Sequence, residues 1–500
     1  MANAPSRRYR DAVYELGEGL RAQNPWWAGA AAPATPAFRR WPYQRLRYLL
    51  EKGLTPATVL RGPRRVGKTV LVRQVMGDLL AEGTDPRRIL FVSFDELQVR
   101  RVFADPLLVM VRWFEQEVLG QPLNAVGQSG APALIFFDEV QTLEAWSPQL
   151  KNLVDTYDVR VLATGSSSLS IEAGRDSLAG RITTLDVGPL LLREIAAMRY
   201  GDPGPSGWPA KRLDALASPD FWREAAVQGR RDAGLRDRAF AAFSERGAYP
   251  VAHARDDVPW EEIAEHLNET VIKRAIQHDL RLGPRGQWRD EGLLEELFRA
   301  CCRYAGQAPG AAVLMPQVRR ALGGETSWAR VLSYLRLVDD TLLIRLIPPL
   351  ELRLKRQTAT AKVALCDHAL RASWLQESIP IDPEGLAANP HLSDLAGHIA
   401  ESALGYFLAT LPNVDVAWYP ERPQEPEVDF VVTVGARRIP VEVKYRRRIR
   451  PHEDTEGLRA FLEKTVYNAA FGVLVTMEDG VEVADPRIVP ISLSSLLWMR

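Results

Sequence analysis

One eight-residue segment constrains this chain more than any other feature. It reads Gly-Pro-Arg-Arg-Val-Gly-Lys-Thr over residues 62–69, follows the apolar run ATVLR and precedes the helical pattern TVLVRQVMGDLL. Glycines in such a loop let the backbone curl, so that its N–H groups and the N-terminus of the next helix surround phosphates. The segment therefore predicts a strand–loop–helix unit that binds the phosphates of a nucleotide.

Two side chains of this loop have separate predicted roles. Lys68 would neutralise the charge of the β- and γ-phosphates, and the hydroxyl of Thr69 would be a ligand of Mg²⁺. We therefore predict ATP as the nucleotide and Mg²⁺ as its metal, with Lys68 also in a catalytic role. The predicted nucleotide-binding residues are Gly62, Pro63, Arg64, Arg65, Val66, Gly67, Lys68, Thr69, Val70 and Thr164.

The runs that follow the loop predict the fold class. Strand-like runs recur at RILFVSF, PALIFFDE and RVLATGS, with helical segments between them. Strands that alternate with helices are typical of a mainly parallel sheet in the α/β class. The length of 500 residues, with 46% hydrophobic and 25% charged residues, indicates a folded chain of several domains.

A second predicted strand ends in two acids. The apolar run ALIFF leads directly into Asp138 and Glu139. Carboxylates at the C-terminal edge of a strand are suited to holding Mg²⁺ and to polarising a water, so we assign Asp138 to the metal and Glu139 to the attacking water. After the next strand, Thr164 or Ser166 would sense the γ-phosphate; the alternative is a plain serine-rich turn.

The order of these motifs, followed by Leu178-Ala179-Gly180-Arg181, resembles the AAA family ATPases of the archaeal-ATPase type that carry a C-terminal domain of unknown function. The resemblance is close over about residues 38–200 and continues in patches at AYP (248–250), VIKR (271–274) and the C-terminal EVDFVV and IPVEVK. It implies an ATPase with a winged-helix region and a nuclease-like tail. In such ATPases an arginine reaches a neighbouring subunit's nucleotide; Arg181 matches it, with a surface ion pair as the alternative.

The C-terminal region contains a second group of chemically active residue types. Asp429 lies in PEVDFVV, and Glu442 and Lys444 follow in IPVEVKY, where alternation along a strand points both to one face. This spacing resembles the PD-(D/E)XK nucleases, and Glu401 in a preceding helix matches their helical acid. Asp429, Glu442 and Glu401 would hold Mg²⁺ or Mn²⁺, and Lys444 would position a water or stabilise charge. The alternatives are a half-exposed strand with ordinary charges, or a tail that binds DNA without cutting it.

The chain is predicted to be α/β, with a P-loop AAA-type ATPase domain, a helical connector with a winged helix, and a restriction-endonuclease-like α/β domain. A Pro- and Gly-rich stretch from about residue 201 departs from the resemblance and leaves the helical boundaries open. The predicted divisions are an N-terminal arm and linker at 1–37, the ATPase domain at 38–200, a helical connector or lid at 201–300, the winged helix at 301–378 and the nuclease-like domain at 379–500.

DNA is the predicted partner, although the 63 basic and 63 acidic residues cancel. Affinity must then come from local basic patches. One patch is the run from Arg437 to Arg450; a second is formed by Arg319, Arg320, Arg353, Lys355 and Arg356. Contact with phosphates and a solvated face are equally compatible with each patch.

The remaining sequence features concern location and assembly. The three cysteines have no CxxC spacing, and no apolar run reaches the roughly 20 residues of a membrane span, so we predict a cytoplasmic protein without membrane contact. The histidines form no zinc-binding pattern. The resemblance implies a homo-oligomer, which would be a ring or another assembly.

Three functions are compatible with these motifs. The first is a Mg²⁺-dependent ATPase that couples hydrolysis to remodelling of DNA or movement along it. The second is an ATP-regulated, metal-dependent endonuclease that cuts with Asp429, Glu442 and Lys444. The third is a nucleotide-dependent switch or scaffold whose tail binds DNA but no longer cuts.

Overall fold

The computed structural model describes residues 7–97, 103–128, 130–165, 178–206, 213–280, 289–351, 359–422 and 425–500. They belong to two compact units, the first within residues 1–187 and the second within residues 188–283 and 288–500. Ser166 and three residues of the second basic patch, Arg353, Lys355 and Arg356, lie outside the described residues.

The first unit is built on a five-stranded parallel sheet with strand order β2-β3-β4-β1-β5. Residues of β1 to β4 are nearly all buried, as expected for a parallel sheet covered on both faces. The prediction of a parallel α/β sheet is confirmed. Its strands are β1 (Ala57–Arg61), β2 (Ile89–Ser93), β3 (Ala133–Asp138), β4 (Val159–Gly165) and β5 (Ile182–Asp186), and its helices are α1 (Arg7–Gln23), α2 (Pro42–Lys52), α3 (Lys68–Ala81), α4 (Pro106–Phe114), α5 (Leu123–Gln128) and α6 (Trp146–Thr156).

The segment predicted as an N-terminal arm covers the edge strand β2. The side-chain amide of Asn24 donates to the carbonyl of Phe91 at 2.8 Å and accepts from its N–H at 2.7 Å. Gln23 makes the same pair of bonds with Ser93, at 3.2 and 2.8 Å. An edge strand exposes unpaired backbone groups, and these two side chains satisfy them in place of another strand.

The second unit contains two sheets. One is five-stranded with order β12-β11-β10-β9-β8, and the other is the antiparallel pair β6-β7. The strands are β6 (Ile344–Ile347), β7 (Lys362–Leu365), β8 (Asp415–Tyr419), β9 (Val428–Val434), β10 (Arg437–Lys444), β11 (Gly472–Thr476) and β12 (Ile488–Ser492). The helices are α7 (Leu192–Arg199), α8 (Pro219–Arg231), α9 (Ala233–Arg246), α10 (Pro250–Ala254), α11 (Trp260–Leu267), α12 (Glu291–Arg303), α13 (Ala311–Leu322), α14 (Trp328–Asp340), α15 (His368–Leu375), α16 (Pro383–Ala388), α17 (Ser393–Ala409), α18 (Glu456–Leu462) and α19 (Leu493–Trp498).

The five-stranded sheet of the second unit is mixed. Strands β8, β9 and β10 are antiparallel neighbours, whereas β10, β11 and β12 run parallel. Helix α17 precedes the sheet, and α18 connects β10 to β11. Parallel neighbours need such a crossover connection, which explains why a helix lies between β10 and β11 in the chain. Among the described residues, no helix combines the length and the apolar character that crossing a membrane requires.

Candidate functional site

The loop between β1 and α3 is shaped by two glycines. Gly67 immediately precedes α3 with φ +93°, a left-handed conformation that favours glycine. A Cβ on Gly62 would lie 2.0 Å from the carbonyl oxygen of Val187, so no larger residue fits there. The loop therefore delivers backbone N–H groups to the N-terminus of α3, which is a natural anion site.

Lys68, the first residue of α3, is buried against this loop. Its ammonium donates hydrogen bonds to the carbonyls of Gly62 and Pro63, both at 2.9 Å. These bonds hold the positive charge directly over the loop that the sequence assigned to phosphate binding. A nucleotide phosphate offers a charged acceptor in exchange for these neutral ones, which makes a stronger hydrogen bond.

Arg40 also contacts the loop, and sequence reasoning missed it. Its buried guanidinium donates to the carbonyl of Val66 at 2.6 Å. Arg65, in the same loop, has φ +64°, which is uncommon for a residue with a side chain. Arg40 lies outside the glycine-rich motif, two residues before α2, and no pattern in the sequence connects it to the loop.

Asp138, the last residue of β3, is held by two hydroxyl groups. Thr69 donates to its Oδ2 at 2.9 Å and Thr164, near the end of β4, donates to its Oδ1 at 2.6 Å. Burial raises the pKa of Asp138, while the hydrogen bonds from Thr164 and Thr69 act in the opposite direction. Two strand ends and the start of α3 thus meet at the C-terminal edge of the sheet, where α/β folds bind their ligands.

Mg²⁺ fits this part of the site by its donor set. A threonine hydroxyl and a buried carboxylate that face each other at 2.9 Å are hard oxygen donors, which Mg²⁺ prefers. Thr69 and Asp138 would hold the ion, and it would neutralise charge on the bound phosphates.

Glu139 follows Asp138 in a left-handed conformation, with φ +57°. Its backbone N–H donates to the hydroxyl of Thr164 at 3.0 Å, and its side chain accepts a hydrogen bond from the amide of Gln141. Non-glycine residues in this conformation are often found at functional sites. Gln141, which sequence reasoning also missed, orients the carboxylate of Glu139.

Comparison with known proteins agrees with this geometry. Residues 54–196 match the family described as AAA domain. The chain carries an AAA-type ATPase domain. Residues 397–496 match a domain of unknown function, DUF4143. The AAA match spans every residue predicted and observed at the phosphate-binding loop and at the ends of β3 and β4.

Individual relatives are distant. An uncharacterized protein of Mycobacterium tuberculosis is 25% identical over 412 residues, which are 81% of this chain and 74% of that protein. One of Methanocaldococcus jannaschii is 31% identical over 136 residues, 27% of this chain and 26% of that protein. A Walker-type ATPase of Pyrococcus abyssi is a similar solved structure, with TM-score 0.38 and 15% identity, covering 69% of this chain and 98% of that one.

Arg181 lies just before β5 in the first unit. Its guanidinium donates to a carboxylate oxygen of Asp155 at 2.5 Å, and both side chains are more than a third exposed. The ion pair that we considered as the alternative for this residue is therefore present within the chain. Such an exposed pair holds its members loosely.

In the second unit, the acids singled out in the tail lie on neighbouring elements. Glu401 is on α17, Asp429 on β9 and Glu442 on β10. The Oδ2 atom of Asp429 accepts a hydrogen bond from the N–H of Val443 at 2.8 Å, so this carboxylate lies against β10. Glu442 pairs with Lys444 on the same strand.

Lys362, the first residue of β7, was not singled out from the sequence and lies among these acids. Its ammonium contacts Glu401, Glu427 at 3.1 Å and Asp429 at 3.2 Å. Burial opposes the charge on Lys362, yet Asp429 and the two glutamates raise its pKa above the ordinary lysine value. A buried lysine surrounded by carboxylates keeps its charge.

The carboxylates of this cluster differ in their tendency to ionise. Burial opposes ionisation of Asp429, but Lys362 and the N–H of Val443 hold its pKa below the ordinary aspartate value. Burial and the negative charge of Asp429 raise the pKa of both Glu401 and Glu442. The Oε2 atom of Glu442 is buried without a hydrogen-bond partner. In the part of the chain that the structure describes, no set of three or more His, Cys, Asp or Glu residues is arranged to hold a metal ion.

The basic run after β10 is largely paired with acids. Arg446 contacts Asp454, Arg450 contacts Glu453, and Arg447 lies 3.6 Å from Glu478. The arginines themselves are exposed. The carboxylate that pairs with Arg446 is buried, but the pairs of Arg447 and Arg450 are exposed and therefore weak, so these two arginines can still meet a phosphate backbone.

Proposed function

We propose that this protein is a Mg²⁺-dependent AAA-type ATPase that couples ATP hydrolysis to work on DNA. The ATPase part rests on the carboxylate of Asp138, held between Thr69 and Thr164 at the end of the sheet. The proposed work on DNA rests on the order of elements and on the exposed arginines in the second unit.

The described residues divide the hydrolytic work as follows. The backbone N–H groups of the loop and Lys68 bind the phosphates, and Thr69 with Asp138 would hold Mg²⁺, which would neutralise charge on those phosphates. Glu139, oriented by Gln141, polarises a water for attack on the γ-phosphate. Thr164 bonds both Asp138 and the N–H of Glu139, so it links the metal-binding and water-polarising residues.

Two features of the second unit support a role on DNA. The helices α12, α13 and α14 are followed by the antiparallel pair β6-β7, the element order of a winged helix. Arg319 and Arg320, in the last turn of α13, are exposed. The exposed arginines after β10 offer a second basic surface. Basic side chains on such surfaces bind phosphates.

Neutralising part of the second surface tests DNA binding. The variant R447Q/R448Q/R450Q is expected to weaken binding and to flatten the dependence of log K on log salt by about 2 to 3, since each lost phosphate contact removes about 0.9 from the slope on duplex DNA. R7Q/R8Q/R10Q, which removes three exposed arginines of α1, is the matched control and should leave the slope unchanged. Binding by fluorescence anisotropy at several salt concentrations measures both. Equal slopes for the two variants would place the phosphate contacts elsewhere.

The kind of work on DNA is tested with defined substrates. Linear, forked and four-way DNA are incubated with the full chain, with Mg²⁺ or Mn²⁺, and with or without ATP. ATP-dependent strand or junction movement supports the proposal. Binding without movement supports the switch or scaffold, and metal-dependent cutting supports the endonuclease.

We propose that Arg181 reaches the nucleotide bound by a neighbouring subunit, so that two subunits share one site. R181A is expected to slow hydrolysis about 10- to 100-fold, the cost of one charge-assisted hydrogen bond to the transition state, with ATP affinity retained. D155N, which removes the intrachain partner of Arg181, should not slow hydrolysis. Mixing R181A with E139Q protein should restore part of the activity. If light scattering shows a monomer and phosphate release shows that this monomer is fully active, nucleotide sites shared between subunits are contradicted.

Among the alternatives, one observation favours the non-cutting tail over the endonuclease. Two of the three acids proposed to hold Mg²⁺ or Mn²⁺, Glu401 and Asp429, contact the ammonium of Lys362, and the third, Glu442, pairs with Lys444. In the proposed function, the tail therefore recognises DNA.

A further inference from the structure

Lys362 is held in the acidic cluster by more than its charge. Lys362 is 2% exposed, and its Nζ lies 5.4 Å from the ring centre of Trp418 and 5.3 Å from that of Phe430. Aromatic faces attract a cation, so these two rings add to the stabilisation of the ammonium by the carboxylates. The lysine therefore occupies an enclosed position.

The strand that carries Lys362 is fixed on both sides. The N–H of Leu365 on β7 donates to the hydroxyl of Ser402 on α17 at 2.9 Å. The indole N–H of Trp418 on β8 donates to the carbonyl of Thr360, two residues before the lysine, at 3.1 Å. The antiparallel pair β6-β7 is therefore joined to the helix and the sheet that supply the acids.

Both carboxylate oxygens of Asp429 and one of Glu401 are already committed, whereas the Oε2 atom of Glu442, on β10, has no hydrogen-bond partner. The Oδ1 atom of Asp429 faces Lys362, and its Oδ2 accepts from the N–H of Val443. Glu401 directs an oxygen at the same ammonium. A divalent ion needs several oxygens at about 2.0–2.6 Å and would lie beside a buried positive charge, so the residues do not fit it.

We infer that Lys362 is the resident cation of this cluster, and that the cluster takes no divalent metal and supports no metal-dependent cleavage. The inference goes beyond the proposed function because it depends on neither ATP nor DNA. In place of metal chemistry, the cluster joins the β6-β7 pair to the tail sheet through an ion pair.

Mn²⁺ binding to the nucleotide-free full chain tests this inference. Free Mn²⁺ is followed by electron paramagnetic resonance while the protein is titrated. Wild type, D429N and E401Q are expected to give the same titration. K362Q should gain one Mn²⁺ site per chain, and K362Q/D429N should lose it again. K362R keeps the positive charge and is the matched control, expected to gain no site.

Two results overturn the inference. A Mn²⁺ site in wild type that disappears in D429N or E401Q shows that the acids bind metal despite Lys362. A folded K362Q that gains no Asp429-dependent site shows that the cluster is not a cation site. If K362Q does not fold by circular dichroism, the comparison of wild type with D429N and E401Q still decides. Because no nucleotide or DNA is present, these results are independent of whether the proposed function holds.

Discussion

An enzyme that binds ATP but scarcely hydrolyses it is the expected result of replacing Glu139 with glutamine. The amide keeps the size and the hydrogen-bonding reach of the side chain but cannot accept a proton from the attacking water. Loss of a positioned general base slows a reaction by about 10² to 10⁴. Phosphate release measures hydrolysis, and binding of a fluorescent ATP analogue measures affinity, which should stay near the wild-type value.

Two further variants make this result specific. E144Q removes an exposed carboxylate from the same loop region and should leave turnover unchanged. K68A removes the ammonium that lies over the phosphate-binding loop and should weaken ATP binding itself. Wild-type turnover in both E139Q and K68A would contradict the assignment of this site. Slow turnover in E144Q as well would point to a general disturbance of the loop.

The first site was accessible from the sequence because its geometry is local to strand ends. Asp138 and Thr164 each lie at or next to the C-terminal end of a parallel strand, and parallel neighbours place those ends together. A run of apolar residues followed by polar ones is enough to predict such a meeting. The prediction gave Thr164 or Ser166 as a sensor of the γ-phosphate. In the structure the hydroxyl of Thr164 donates to Asp138 and accepts from the N–H of Glu139, and Ser166 lies outside the described residues.

The arm and the tail show what local patterns leave out. Asn24 and Gln23 satisfy backbone groups of β2, and this depends on which strand lies at the sheet edge rather than on any motif. Lys362 reaches Asp429 across 67 positions of sequence. The one available signal was a lysine in the otherwise apolar run AKVALC, because a charged residue in a buried strand needs a partner.

A large local loss of stability is expected when Lys362 is replaced by methionine. Methionine keeps most of the stem volume, so the main change is a buried Asp429 without its compensating cation. Removing one partner of a buried ion pair costs about 3–5 kcal/mol. Hydrogen exchange of the β7 and β9 amides is the suitable measurement, because a chain of two units need not unfold in one step.

The pH dependence and a double variant identify the cause of that loss. The pKa of Asp429 is held low and that of Lys362 is raised, so their pairing stabilises the fold from above the unfolded aspartate pKa to below the unfolded lysine pKa. The cost of K362M should therefore shrink as the pH falls below about 4. K362M/D429N should recover part of the loss at neutral pH, whereas K273M, at an exposed lysine paired with Glu269, should change little. If the β7 and β9 amides exchange hydrogen at the same rates in K362M and in K273M, Lys362 does not stabilise the cluster by its charge.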